Sequence, residues 1–246
     1  LKYNSGLQYL DLSFTLIESV KGIERFVNLE ILNLSHTHPI DIEGIENLRS
    51  LKELKLSHVH LPQSEFDRLS TLNQLDYLKI SGTNIQNLKP VASLNILSRL
   101  DIRSTQITDI TPIAGCKNLK IINLEGAPLS SLLPLLVLPK VEKIYCDNTR
   151  ISKKQAYDFM SKKPGTLVIH NSRYLINWWE SLSEAWKEIL APQWMEEDPT
   201  KEALQEIASQ TKIDIKARTD ISSIEALSIL ENLTYLDISQ TAVNSL

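Results

Sequence analysis

Apolar residues recur along this chain at two spacings, first two apart and then three apart. In the stretch from Leu97, Leu100 and Ile102 are separated by one polar residue, and Ile107, Ile110, Ile113, Cys116 and Leu119 follow at intervals of three. A period of two predicts a short strand, with Leu100 and Ile102 inward and Arg99, Asp101 and Arg103 on the opposite face. A period of three predicts a tight 3₁₀-like return leg, in which residues i and i+3 share a side. The same pattern restarts at residues 7, 29, 51, 75, 97, 119 and 141, so the period is 22 with one unit of 24.

One such unit cannot cover its own apolar face, but stacked neighbours build a continuous core. A fixed period in the twenties with this internal pattern predicts a leucine-rich repeat solenoid. The expected class is therefore α/β: a right-handed superhelix carrying one curved parallel sheet of about eight strands. Leu10, Leu32, Leu54, Leu78, Leu100, Ile122 and Ile144 should form a single buried ladder. Segments such as TQITDITPIAGCKNL (Thr105 to Leu119) and TNIQNLKPVASLNIL (Thr83 to Leu97) make the chain resemble the internalin-like class of bacterial leucine-rich repeats. That resemblance extends from Leu7 to about Ile151. It implies the fold and recognition on the strand face, and names no partner, since such arrays host many functions. Thr stands where relatives more often carry Asn (Thr15, Thr37, Thr83, Thr105, Thr149), and its hydroxyl is expected to serve the turn backbone. Val59 and Ala127 depart from that pattern, so backbone bonding at those two turns is expected to weaken.

After Thr149 the pattern changes. Ser152 and Gln155 form a capping-box signature, Ala156, Phe159 and Met160 give an apolar side, and Pro164-Gly165 ends the expected helix. Leu167 to Ile169 reads as one more strand. Leu175, Trp178, Trp179, Leu182, Trp186, Ile189 and Leu190 then share a single helical face. Asp198-Pro199 predicts the start of a further helix with Leu204 and Ile207 inward. From Ile213 the repeat resumes, with one residue too many between Ile215 and Thr219, where a bulge or an imperfect strand is expected. The expected division is a repeat array over 1–170, a Trp-rich helical cap or junction over 171–210, and the start of a second array over 211–246. The tryptophans read as a cap, because solenoid ends need a covering element. A ligand pocket and a membrane-surface helix are the other readings, the latter disfavoured by Glu180, Glu184 and Glu188 against Lys187. Trp194 is the tryptophan expected to be exposed. Both ends break inside a repeat and read as cut. The uncapped stub from Leu233 to Leu246 would then be open to pairing with a second copy.

Composition narrows the functions. The 246 residues carry a net charge of −4 and 42% hydrophobic content, which is ordinary for a globular chain. No apolar run of 18 exists to span a membrane, and no signal peptide is visible at the start. The compartment stays open between cytoplasm and cell surface. Cys116 and Cys146 occupy core positions of the repeat and read as reduced and structural. No glycine-rich phosphate loop, nucleophile elbow or HExxH is present, so neither an enzyme nor a cofactor is expected.

Function must then lie between the leucines. The outward columns read Tyr9, Ile31, Glu53, Tyr77, Arg99, Ile121, Lys143; then Asp11, Asn33, Lys55, Lys79, Asp101, Asn123, Tyr145; then Ser13, Ser35, Ser57, Ser81, Arg103, Glu125, Asp147. Five are basic and five acidic, which offers no basic stripe for nucleic acid. Aromatic residues among serines and mixed charges suit a protein partner on the concave face. The expected anchors are Tyr9, Phe14, Tyr77, Arg99, Arg103 and Tyr145. A structural spacer, or a regulatory arm of a larger protein, is the alternative. His36 and His58 lie 22 apart, as do His38 and His60, so four rings are expected side by side. They read as a candidate zinc site, a pH-sensitive contact, or plain repeat duplication.

Overall fold

The computed structural model describes residues 6–38, 41–192, 195 and 198–244. Two compact units divide the chain, Leu1–Val168 and Ile169–Leu246. Three-residue strands pair in sequence order, β1 (Tyr9–Asp11), β2 (Ile31–Asn33), β3 (Glu53–Lys55), β4 (Tyr77–Lys79), β5 (Arg99–Asp101), β6 (Ile121–Asn123) and β7 (Lys143–Tyr145) in the first unit, with β8 (Leu167–Ile169) ending at the boundary residue. From β1 to β7 the pairing is parallel with no slip, so Leu10, Leu32, Leu54, Leu78, Leu100, Ile122 and Ile144 face one another in turn. Leu32 through Ile144 in that ladder are fully buried, and Leu10 is half-buried.

The return legs are the 3₁₀ segments that spacing by three requires: Ile23–Arg25, Ile45–Asn47, Asp67–Thr71, Lys89–Ser93, Thr111–Gly115 and Leu133–Val137. Pro90, Pro112 and Pro134 stand in the first two positions of the last three, where a missing N–H costs no bond. The unit of 24 absorbs its two extra residues as a short α-helix, α1 (Gln63–Phe66), placed ahead of its 3₁₀ leg, with Phe66 sealed in the core.

Turn chemistry fixes where each strand stops. The hydroxyls of Thr15, Thr83, Thr105 and Thr149 donate to the carbonyls of Leu12, Ile80, Ile102 and Cys146 at 2.6–2.8 Å, and Thr37 donates to Leu34 in the same way. Val59 and Ala127 lack that hydroxyl, and the expected weakening does not occur. Their own N–H groups reach the Leu56 and Leu124 carbonyls at 3.2 and 3.0 Å, against 3.4 Å for the same bond at Thr83 and Thr149. The backbone closes in to satisfy an acceptor that cannot be left bare in the core.

Helix α2 (Lys153–Lys162) opens on the complete capping box of Ser152 and Gln155. In the second unit the tryptophan stretch is two helices rather than one, α3 (Ser172–Ser181) and α4 (Glu184–Leu190). The break falls at the extended Leu182, because the Ser183 side chain accepts from Trp186 N–H and starts a new helix. The next helix, α5 (Lys201–Ala208), begins behind Thr200, which accepts from Ala203 N–H; Asp198-Pro199 is not its start. Leu204 and Ile207 are buried as expected.

Strands β9 (Lys212–Asp214) and β10 (Tyr235–Asp237) pair in parallel without a bulge. Ala217 takes the left-handed position and Arg218 the threonine slot, with Arg218 N–H on the Ile215 carbonyl, so the extra residue lies beyond, before Ile221. Helices and resumed repeat share one core, in which Trp179, Trp186 and Leu190 join Leu204, Ile213, Ile215 and Leu227. The indoles of Trp179 and Trp186 thus bury in the same cluster as the repeat that follows them. Among the described residues no helix is long and apolar enough to cross a membrane.

Candidate functional site

Because the inward ladder fixes register, the outward residues of β1–β7 stand in rows. Tyr9, Ile31, Glu53, Tyr77, Arg99, Ile121 and Lys143 follow one another across the sheet, and Asp11, Asn33, Lys55, Lys79, Asp101, Asn123 and Tyr145 form the next row. The second row is largely spoken for. Asp11, Asn33, Asp101 and Asn123 each accept from the backbone N–H two residues on, ending the strand with an Asx turn. Asp11 also accepts from Ser13 Oγ at 2.6 Å, Asn33 Nδ2 at 3.0 Å and Tyr9 Oη at 3.1 Å. The Ser13 side chain and backbone bonds are the main reason its carboxyl is held down at about 2. Lysines 55 and 79 cannot make that turn; there Ser57 N–H donates to Ser35 Oγ, and Ser81 Oγ donates to Ser57 Oγ at 2.9 Å.

Of the expected anchors, Tyr77 and Arg99 meet. They are direct neighbours on β4 and β5, and the Arg99 guanidinium lies 4.5 Å above the Tyr77 ring. Arg99 also reaches Glu53 at 3.3 Å and Asp76 at 3.6 Å, so a cation and a ring are presented as one fixed plate. Burial is the first cause pushing the Tyr77 phenol up, which agrees with its half-buried place. Arg103 pairs with the buried Asp101 at 3.0 Å. Tyr9 stands 56% exposed on β1. Tyr145, half-buried on β7, is six strands away, roughly 29 Å at one strand spacing each. The anchors thus span the sheet, and do not form one cluster.

Phe14, His36 and His58 belong to a different row. Each has φ near +57°, as do Ser104 and Asn148, and Gly82 and Gly126 complete the series at +67° and +70°. This is the left-handed residue that turns every strand out of the sheet, and its N–H bonds the next repeat, as Phe14 to Ser35 and His36 to Ser57. The side chains are thrown onto the rim and stack: Phe14 on His36 at 4.4 Å, and His36 on His58 at 4.6 Å. Phe14 is 76% exposed. The four histidines do not make a metal site: no group of three or more His, Cys, Asp or Glu among the described residues is arranged to hold a metal ion, and His38 and His60 are exposed. Nitrogen lone pairs lie in the ring plane, so two rings only 22° from parallel cannot converge on one ion. Glycine at 82 and 126 and asparagine at 148 were the sequence signal for this left-handed row.

Outside the sheet face, the indoles of Trp178 and Trp186 donate to the carbonyls of Ala226 and Ser223, which explains them as structure of the second unit. Trp194 lies outside the described residues. Cys116 and Cys146 are buried and not joined in a disulfide, and burial pushes their thiols up to about 11 and about 12.

No family model matches the chain, and neither does any curated protein. Solved structures do. The crystal structure of internalin C2 from Listeria monocytogenes matches 94% of this chain and 82% of its own, with a TM-score of 0.59 at 21% identity. A second internalin of that bacterium, inlF, matches 98% of this chain and 70% of its own, with a TM-score of 0.56 at 19% identity. At these identities the likeness is one of fold, and the fold is the leucine-rich repeat of the internalin type.

Proposed function

We propose that the chain is a non-enzymatic protein-recognition module whose partner docks on the outward sheet face. The observation that carries this is the Tyr77–Arg99 plate at the middle of the sheet. Tyr and Arg dominate interface energetics because they bring large contact area and several hydrogen bonds with few rotamers to freeze. Here the plate is held by Glu53 and Asp76 before any partner arrives, so little ordering remains to be done on binding. Tyr9, Phe14, Arg103 and Tyr145 extend the contact toward its margins.

The test compares capture of protein partners by the intact chain and by its variants, followed by affinity measurement on whichever partner is captured. Tyr77→Ala and Arg99→Ala should each weaken binding by about 1–3 kcal/mol and leave the melting temperature nearly unchanged. Leu133→Ser, on an exposed return leg, serves as the opposite-face control. Loss of binding with that control alone would move the site to the return legs. A chain that captures nothing, with or without Tyr77, would be a spacer or a regulatory arm.

A further inference from the structure

The outward face has a depression that shares only Arg103 with the docking surface. A cavity of about 190 Å³ opens at the carboxyl-terminal edge of β3–β5, lined chiefly by Ser57, His58, Lys79, Ser81, Gly82 and Arg103. Tyr77 and Arg99 are not among its walls, and neither is any carboxylate.

Its lining is a set of donors from three consecutive repeats. Lys79 enters from β4 and makes no ion pair among the described residues, although Lys55, one strand away, is paired with Glu53. Arg103 enters beyond β5, and its bond to Asp101 occupies one terminal nitrogen of a group with five N–H donors. Ser57 and Ser81 share one hydroxyl–hydroxyl bond at 2.9 Å, which uses one of their two protons and leaves the other to donate. His58 supplies a wall whose position is fixed from both sides. The His36 ring stacks on one face, and the other lies over Gly82, where an added Cβ would sit 2.5 Å from the His58 Cε1 atom. Glycine at 82 is therefore what lets the ring lie down and the hollow stay open.

An ammonium, a guanidinium, hydroxyls and an imidazole from three consecutive repeats line the cavity, with no carboxylate among them, a set that suits a tetrahedral anion better than a planar or neutral group. We propose that this cavity binds a tetrahedral oxyanion, either free or as the terminal group of a small phosphate or sulfate monoester. The site stands whether or not a protein docks on Tyr77 and Arg99.

Amide and side-chain NMR on the full chain, titrated at constant ionic strength, tests it with three probes: inorganic phosphate, inorganic sulfate and acetate. The expected result is a saturable shift confined to residues 57–58, 79–82 and 103–104 with phosphate or sulfate, whichever of the two binds more tightly identifying the ester. Lys79→Gln, an outward substitution that leaves the core alone, should weaken that binding about tenfold. Lys55→Gln and Lys143→Gln should leave it unchanged. Shifts that never saturate, shifts that spread to Lys55 and Lys143, or an equal response to acetate would overturn the assignment.

Discussion

Residue 82 needs a glycine, whereas residue 104, in the same left-handed row, carries a serine. Both have positive φ, at +67° and +55°. For an L-residue with a Cβ that conformation costs roughly 1–2 kcal/mol. Ser104→Gly should therefore raise stability by up to about 1 kcal/mol in urea denaturation. Gly82→Ala should lower it by more than the roughly 1–2 kcal/mol of left-handed strain alone, since it also drives a methyl against the His58 ring. Equal effects at the two positions would show that the ring is not packed on Gly82. The threonine row makes a second residue-scale case. Thr105→Val removes the 2.6 Å bond to the Ile102 carbonyl and should cost about 0.5–1 kcal/mol. The cost stays small because the backbone N–H closes on that carbonyl, as it already does at Val59 and Ala127. A loss well above that range would mean the turn cannot tighten.

Single strands and helices show how much of the fold the sequence makes legible. The inward ladder, the outward rows and the 3₁₀ return legs follow from spacings of two and three, because side-chain direction depends on nothing else in a stacked repeat. Phe14 and the histidines were harder. Their spacing of 22 was visible, but the left-handed backbone that lifts them to the rim is shared with Gly82, Gly126 and Asn148, and only the whole row reveals it. The helix break at Leu182 escaped the apolar periodicity, which is blind to a cap such as Ser183. The cavity was invisible too, since Lys79 and Arg103 come from different outward rows and meet only through strand register. Two neighbouring substitutions separate the faces of one strand. Leu78→Ala should lower stability by about 2–5 kcal/mol, because a fully buried side chain leaves a void. Tyr77→Ala, one residue away, should barely move the melting temperature. If the two melt alike, the plate is part of the core and the docking argument loses its premise.

At the scale of the whole molecule, the chain carries two natural reporters that do not overlap. Both cysteines lie before residue 169, and all four tryptophans lie after it. Thiol accessibility thus reports the first unit and indole fluorescence the second. Stability in stacked repeats accumulates with each neighbour added; the first unit has seven consecutively paired strands from β1 to β7, and the second sheet has two. In a denaturant titration the fluorescence transition should come first, with thiol labelling following at higher concentration. Labelling reports opening and not native reactivity, because burial holds Cys116 and Cys146 up at about 11 and about 12 while the ordinary thiol value is 9.0. At pH 8 both folded thiols are protonated and shielded, and a thiol reagent should react only after denaturation. The sign of the pH effect follows from the same shift. Below pH 9 both states keep their protons, and stability is unaffected by these groups. Above it the unfolded thiols ionise before the folded ones, so stability falls as the pH rises, up to about 11 for Cys116 and about 12 for Cys146. Two coincident transitions at pH 8 would show that the repeats on either side of residue 169 unfold as one cooperative body, and fast labelling of the native chain would show that the cysteine rows are not closed.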